Sequence, residues 1–240
     1  MMNEQHSILD RMLGMVEAWD DARDRRSIFL RCYSLMTGNM LSSIERGEFH
    51  DNDWVRELLH HFAEYYFRAL DAYERGDPAV PAVWRVAHEA AATHHTMTLQ
   101  HLFLGVNAHI NFDLALTLVD LLADEWEQMP QPYRRERHAD YCMVNDIIAS
   151  TIDAVQDDVL ERYTPALGVV DAVFGRIDEW AISRVITRWR EQVWENAVAL
   201  MELPRDTRRD DVVALIEAMA LERSDAILFR EGMASFKHLV

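Results

Sequence analysis

One segment constrains the fold of this chain more than any other: residues 97–127, which contain the run "LFLGVNAHINFDLALTLVDLLA". When its residues are placed about 100° apart, as in an α-helix, apolar side chains fall on every side. A helix without a continuous polar face has to be covered by other helices. The segment therefore predicts a buried central helix inside a multi-helix bundle.

The rest of the chain is predicted to supply the surrounding helices. Only 8 Gly and 6 Pro occur, mostly where the helical apolar period stops, and no segment resembles a pair of strands. We expect Asp51 or Asn52 to cap the third helix and Gly76 to end it. The connectors are too short to be interdomain linkers, so residues 1–240 are predicted to form one compact all-α domain. The predicted helices span 5–19, 24–46, 53–75, 81–95, 97–127, 134–163, 166–174, 177–201 and 208–229.

The charge balance narrows the range of partners. Lys and Arg total 24 against 41 Asp and Glu, a formal net charge of −17. A protein that held nucleic acid or an anionic membrane by electrostatic attraction would carry the opposite charge. We expect a small organic molecule as the partner, with a homo-oligomer possible and with neither nucleic acid nor a membrane.

Cysteine content and the N-terminal residues bear on the compartment. Cys32 and Cys142 are too few for a disulfide framework, and the N-terminal stretch becomes charged before an apolar core of signal-peptide length appears. The central segment is interrupted by His109, Asp113 and Asp120, so it holds no run of 18 uncharged apolar residues. These features predict a cytoplasmic protein with reduced thiols and no membrane span.

The central helix also carries four polar residues at alternate positions: Asn107, His109, Asn111 and Asp113. In an α-helix His109 and Asp113 share one face, whereas Asn107 and Asn111 lie on the opposite side. A buried polar group without a hydrogen-bond partner costs about 1–3 kcal/mol. The four side chains therefore need partners on neighbouring helices or on a ligand.

The motif resembles that of a known family. "QHLFLGVNAHINFDLAL", together with "FLRCYSLMT", "FAEYYFRAL", "HADYCMVNDIIA" and "REQVWENAVAL", is similar to the DUF5995 family of uncharacterised helical bacterial proteins. The resemblance covers most of the chain, and its most specific part is the Asn-Ala-His-Ile-Asn-x-Asp-Leu core at residues 107–114. It implies that this motif, Asn145 and Arg190 belong to one shared arrangement, and it implies no reaction.

A divalent metal ion is one chemical interpretation of the motif. His109 and Asp113 are one helical turn apart, so an imidazole and a carboxylate could ligate the same ion. Two ligands do not complete a site, and further ligands would have to come from other helices. Candidates are Glu57, His60, Glu64, His138, Asp140 and Asp146.

A second interpretation needs no metal. Asp113 would fix the tautomer of His109, which leaves the other ring nitrogen as an acid or base, while Asn107, Asn111 or Asn145 orients a carbonyl or a neighbouring helix. The plain alternative is that His109 and Asp113 only satisfy each other inside a core.

Four polar groups within seven residues favour a functional site over a purely structural one. The sequence has no glycine-rich phosphate loop, no Gly-x-Ser-x-Gly elbow and no Cys-x-x-Cys. We therefore predict a small-molecule enzyme of cyclase, lyase or hydrolase chemistry, with a non-catalytic ligand-binding or protein-interaction module as the alternative. The expected catalytic and orienting residues are His109, Asp113, Asn107, Asn111, Asn145 and Arg190, and His109 and Asp113 would also hold any divalent metal ion.

Overall fold

A computed structural model describes residues 2–93, 96–155, 179–203 and 209–228. This part of the chain is helical and contains no strand, which confirms the all-α prediction. The predicted helix at 166–174 lies outside the described residues. The helices are α1 (Met2–Asp21), α2 (Ser27–Glu45), α3 (Asn52–Glu74), α4 (Ala82–Ala91), α5 (Thr98–Asn107), a π-helical turn (Ala108–Asp113), α6 (Leu114–Trp126), α7 (Gln131–Val155), α8 (Glu179–Met201) and α9 (Arg209–Ile227).

Local signals place several helix ends correctly. The side chain of Asp51 accepts hydrogen bonds from the backbone N–H groups of Asp53 and Trp54, at 3.1 and 3.0 Å, and so caps α3 as predicted. Gly76, just beyond α3, has a φ of +66°, a conformation that glycine adopts without strain. α7 begins three residues earlier than predicted, because Pro132 fits into a first helical turn whose N–H groups need no intrahelical acceptor.

The central helix is the continuous segment Thr98–Trp126, formed by α5, the π-helical turn and α6. Helices α2, α3, α4, α8 and α9 pack against it, and Leu104, Ala115 and Leu118 are fully buried, so the prediction of a central buried helix is confirmed. By length and apolar composition alone, this segment could also cross a membrane. Here it is mostly buried inside the protein, as the core helix of a bundle is.

The π-helical turn coincides with "AHINFD", the centre of the polar motif. A π-helical turn accommodates one extra residue in a helix and is found mostly as a short bulge, frequently at functional sites. Regular α-helical periodicity predicted none at this position. His109 and Asp113 nevertheless lie on one side of the helix, and Asn107 and Asn111 make their contacts on another.

Candidate functional site: a buried histidine–aspartate pair beside an apolar cavity

His109 and Asp113 form a buried hydrogen-bonded pair. Nδ1 of His109 lies 2.9 Å from Oδ2 of Asp113, and the two residues are 3% and 1% exposed. The hydroxyl of Thr117 donates to the backbone carbonyl of Asp113 at 2.8 Å. The pair is therefore held in one orientation by the helix that carries it.

Trp84 of α4 completes the surroundings of the carboxyl group. Its indole N–H lies 3.1 Å from Oδ1 and 3.0 Å from Oδ2 of Asp113, so both oxygens have a neutral donor. Sequence reasoning missed this residue. Nothing local links an indole to a carboxyl group 29 positions away, and only packing of α4 against the central helix brings them together.

Aromatic rings enclose the imidazole of His109. The ring of Phe62 stacks on it with centroids 3.5 Å apart and planes 8° apart, and Tyr33 contacts it edge-on at 4.3 Å. Phe29, Tyr66 and Trp84 lie further out, with centroids within 6.1 Å of it. These rings exclude water from the pair and fix the plane of the imidazole.

Burial decides the protonation of the pair. It lowers the pKa of His109 well below its ordinary value, and it raises the pKa of Asp113 well above its own, against the opposing hydrogen bond from Trp84. Because net charge is costly in this setting, the pair is neutral overall. With both groups in their neutral forms, the carboxylic acid of Asp113 can donate to Nδ1 of His109. In that arrangement Nε2 carries the ring proton and is a hydrogen-bond donor.

An apolar cavity of about 160 Å³ lies beside this pair, between α2, α3, the central helix, α7 and α8. Most of its wall is aliphatic or aromatic, which suits a hydrophobic ligand. The residues that line it are Phe29, Cys32, Tyr33, Met36, Thr37, Met40, Val55, Leu58, Leu59, Phe62, Leu99, Leu102, Phe103, Val106, His109, Ile110, Leu114, Val144, Ile148, Ile152, Ile182, Ile186 and Arg190.

Three polar atoms on residues of this wall lack a hydrogen-bond partner of normal geometry within the described part of the chain. They are Nε2 of His109, the hydroxyl of Tyr33 and the hydroxyl of Thr37. Burial, with a smaller contribution from Asp113, raises the pKa of Tyr33 well above its ordinary value, against an opposing effect of the nearby Thr37 hydroxyl, so the phenol stays protonated. Burial also raises the pKa of Cys32 to about 12, which makes its thiol a poor nucleophile. Buried polar atoms are normally paired, so this cluster is suited to a ligand.

Arg190 of α8 reaches the same cavity and is only 4% exposed. Its Nε donates to Oδ1 of Asn145 at 2.8 Å, and its Nη2 donates to the backbone carbonyl of Tyr141 at 2.7 Å. The guanidinium also lies over the Tyr141 ring, 4.2 Å from the centroid. Asn145 and Arg190, which the family resemblance placed in one arrangement, are thus in direct contact, and Arg190 shares a cavity with His109.

The two asparagines of the motif lie elsewhere. Nδ2 of Asn107 donates to the backbone carbonyl of Ala220 at 2.8 Å and to the hydroxyl of Ser224 at 3.0 Å, both on α9. Nδ2 of Asn111 donates to Oδ1 of Asn107 at 2.9 Å. Neither asparagine lines the cavity. Their contacts join the central helix to α9.

The described residues do not supply a complete set of metal ligands. No group of three or more His, Cys, Asp or Glu side chains converges within this part of the chain. Asp140, one of the extra ligands considered above, accepts hydrogen bonds from the backbone N–H groups of His50 and Asp51 at 2.7 and 2.9 Å. His109 and Asp113 alone do not fit a metal site, so the divalent metal ion stays a prediction.

Fold and site together define an all-helical protein with a buried His–Asp pair beside an apolar cavity. A family model described as "Family of unknown function (DUF5995)" matches residues 6–229. The chain belongs to this family, as the resemblance indicated. No curated protein and no solved structure matches it.

Proposed function

We propose that the protein is an enzyme that binds a small hydrophobic molecule in the apolar cavity and protonates it with His109. One observation carries the proposal: Nδ1 of His109 is fixed by Asp113, while Nε2 has no partner among the described residues and the His109 side chain forms part of the cavity wall. An oriented imidazole with one nitrogen left for a ligand is the arrangement of a general acid or base.

The pair can deliver one proton without a change in its own geometry. As Nε2–H donates to a ligand atom, the carboxyl proton of Asp113 moves to Nδ1, and Asp113 becomes a carboxylate. The indole N–H of Trp84, within 3.1 Å of both oxygens, stabilises that carboxylate. The reverse transfer restores the pair. A carbonyl oxygen or an alkene carbon of the ligand could accept the proton, which fits cyclase, lyase or hydrolase chemistry.

The surrounding residues suit this role. Phe62 and Tyr33 exclude water from the imidazole, which strengthens its hydrogen bond to a ligand. The hydroxyls of Tyr33 and Thr37 can orient the polar atoms of the ligand. Asn107 and Asn111 have a structural role in this proposal, because Asn107 bonds the central helix to α9 and Asn111 donates to Asn107.

The test uses His109→Asn, since the asparagine amide can still form a hydrogen bond with Asp113 but has no atom in place of Nε2. The wild-type protein and the variant are each incubated with a small-molecule cell extract, and mass spectrometry records which compounds are consumed or formed. We expect a compound whose conversion by the variant is slower by about 10²-fold or more, while circular dichroism shows the same helix content. Equal conversion by the two proteins would contradict the catalytic role.

A non-catalytic binding protein is the second candidate. It is favoured by the apolar character of the cavity wall and by the tight stacking of His109 on Phe62, both of which suit retention of a ligand. Native mass spectrometry of the purified protein distinguishes the two. A ligand that stays bound and unchanged, with no conversion of any compound in the extract, would support the binding protein.

A further inference from the structure

Arg190 is a buried cation without a charged partner in the described part of the chain. Its hydrogen bonds go to an amide oxygen and a backbone carbonyl, which are neutral acceptors. No carboxylate among the described residues forms an ion pair with it, and burial lowers its pKa from the ordinary value. A guanidinium buried in this way is normally matched by an anion.

Arg190 also has hydrogen-bonding capacity to spare. A guanidinium has five N–H groups, and two of them account for the bonds to Asn145 and Tyr141. The remaining donors belong to a side chain that forms part of the cavity wall, where the other residues of α7 and α8 are Val144, Ile148, Ile152, Ile182 and Ile186. The guanidinium is therefore the one charged group among the described residues on a part of the cavity wall, formed by α7 and α8, that is otherwise aliphatic.

We infer that the ligand of this cavity is a hydrophobic carboxylate, with its carboxylate bound by Arg190 and its apolar body in the cavity. This rests on the proposed function only in placing the ligand in the cavity beside His109. A carboxylate matches the fork of donors on a guanidinium and carries the single charge that neutralises it. A phosphate monoester carries close to two charges at neutral pH and would leave net charge beside an apolar cavity wall.

Octanoate and octan-1-ol are matched probes, because they share an eight-carbon chain and differ in the head group. Isothermal titration calorimetry on the wild-type protein should show octanoate binding at least about tenfold more tightly than octan-1-ol, with octyl phosphate weaker than octanoate. Carbon-13 NMR of carboxyl-labelled octanoate should show that the bound carboxyl group titrates at lower pH than the free one. This shift reports a cation next to the carboxylate and needs no variant.

Variants locate the cation. Arg190→Met should bind octanoate and octan-1-ol equally, and Arg190→Lys should keep part of the preference. Equal binding of the two probes by the wild-type protein would overturn the carboxylate inference and leave the cavity ligand of the proposed function standing. A preference that survives in folded Arg190→Met would also overturn it. Failure of the wild-type protein to bind either probe would overturn the inference, whereas the extract assay with His109→Asn would still test the catalytic role.

Discussion

Gly105 of α5 lies directly against Phe29 of α2, so closely that a Cβ atom on Gly105 would stand 2.8 Å from Cβ of Phe29. Real Cβ atoms do not approach other carbons this closely, so the contact requires glycine. Phe29 is in turn one of the rings around His109, with centroids 5.8 Å apart. The absence of a side chain at Gly105 therefore sets how near α2 comes to the polar motif.

Gly105→Ala should destabilise the protein by about 1–3 kcal/mol, because the added methyl group forces Phe29 or the backbone to move. Chemical denaturation gives the free energy of unfolding. Gly14 in α1 is a matched control, because nothing lies within 4 Å of a Cβ placed there, so Gly14→Ala should leave stability unchanged or raise it by up to about 1 kcal/mol. A similar change in the free energy of unfolding at both positions would show that the contact with Phe29 does not cause the loss at Gly105.

The two asparagines should behave as one structural unit. Asn107→Leu removes the bonds to Ala220 and Ser224 and leaves the Asn111 amide without its acceptor, so we expect a loss of about 2–3 kcal/mol. Asn111→Leu removes a single hydrogen bond and should cost less. In the double variant the total should fall short of the sum by about 0.5 kcal/mol or more. Additive losses in urea denaturation would contradict a shared network.

Trp84→Phe should raise the pKa of Asp113 further, because it removes the two hydrogen bonds that favour the carboxylate. The infrared C=O band of a protonated carboxyl group measures this directly. In the wild-type protein the band should persist well above the pH at which an ordinary aspartate ionises, and in Trp84→Phe it should persist to still higher pH. Asp113→Asn, which lacks the carboxyl group, should lose the band and so identifies its source.

The free energy of unfolding should fall as the pH decreases below about 6.5, and protonation of His101 should account for part of that fall. This residue is 4% exposed, and burial, with a smaller effect of Arg25, lowers its pKa to about 4, against a backbone contact with Thr96. A histidine whose pKa is lower in the folded state binds protons preferentially in the unfolded state. Its contribution to stability is therefore complete above pH 6.5 and is lost as the pH falls toward 4, by about 1.4 kcal/mol per pH unit.

His101→Leu tests this expectation. The leucine has no group to protonate, so between pH 6.5 and 5 the variant should lose about 2 kcal/mol less stability than the wild-type protein does. Burial lowers the pKa of His88 to about 3, so His88 also makes the protein less stable at low pH. Its contribution is the same in both proteins, so their difference reports His101. If the denaturation midpoints of the variant and the wild-type protein fall by the same amount between pH 6.5 and 5, burial of His101 does not cause the pH dependence.

The sequence by itself determined the features that depend on neighbours along the chain. The helical period predicted the helices, Asp51 predicted the cap of α3, and the apolar segment predicted the central helix. The one-turn spacing of His109 and Asp113 predicted that the two side chains could meet, and they do. In each case helix geometry fixes the distance, so local spacing is sufficient.

Only the tertiary structure decided what surrounds that pair and which of the motif residues reach a ligand cavity. Trp84, Tyr33 and Phe62 come from three other helices, and Arg190 follows the motif by some 80 positions, so no local pattern encodes their approach. The sequence placed the asparagines on the helix face opposite His109 but did not show what they contact: Asn107 donates to α9, and Asn111 donates to Asn107. Which face of a central helix meets a cavity depends on how distant helices pack, and that is a property of the assembled bundle.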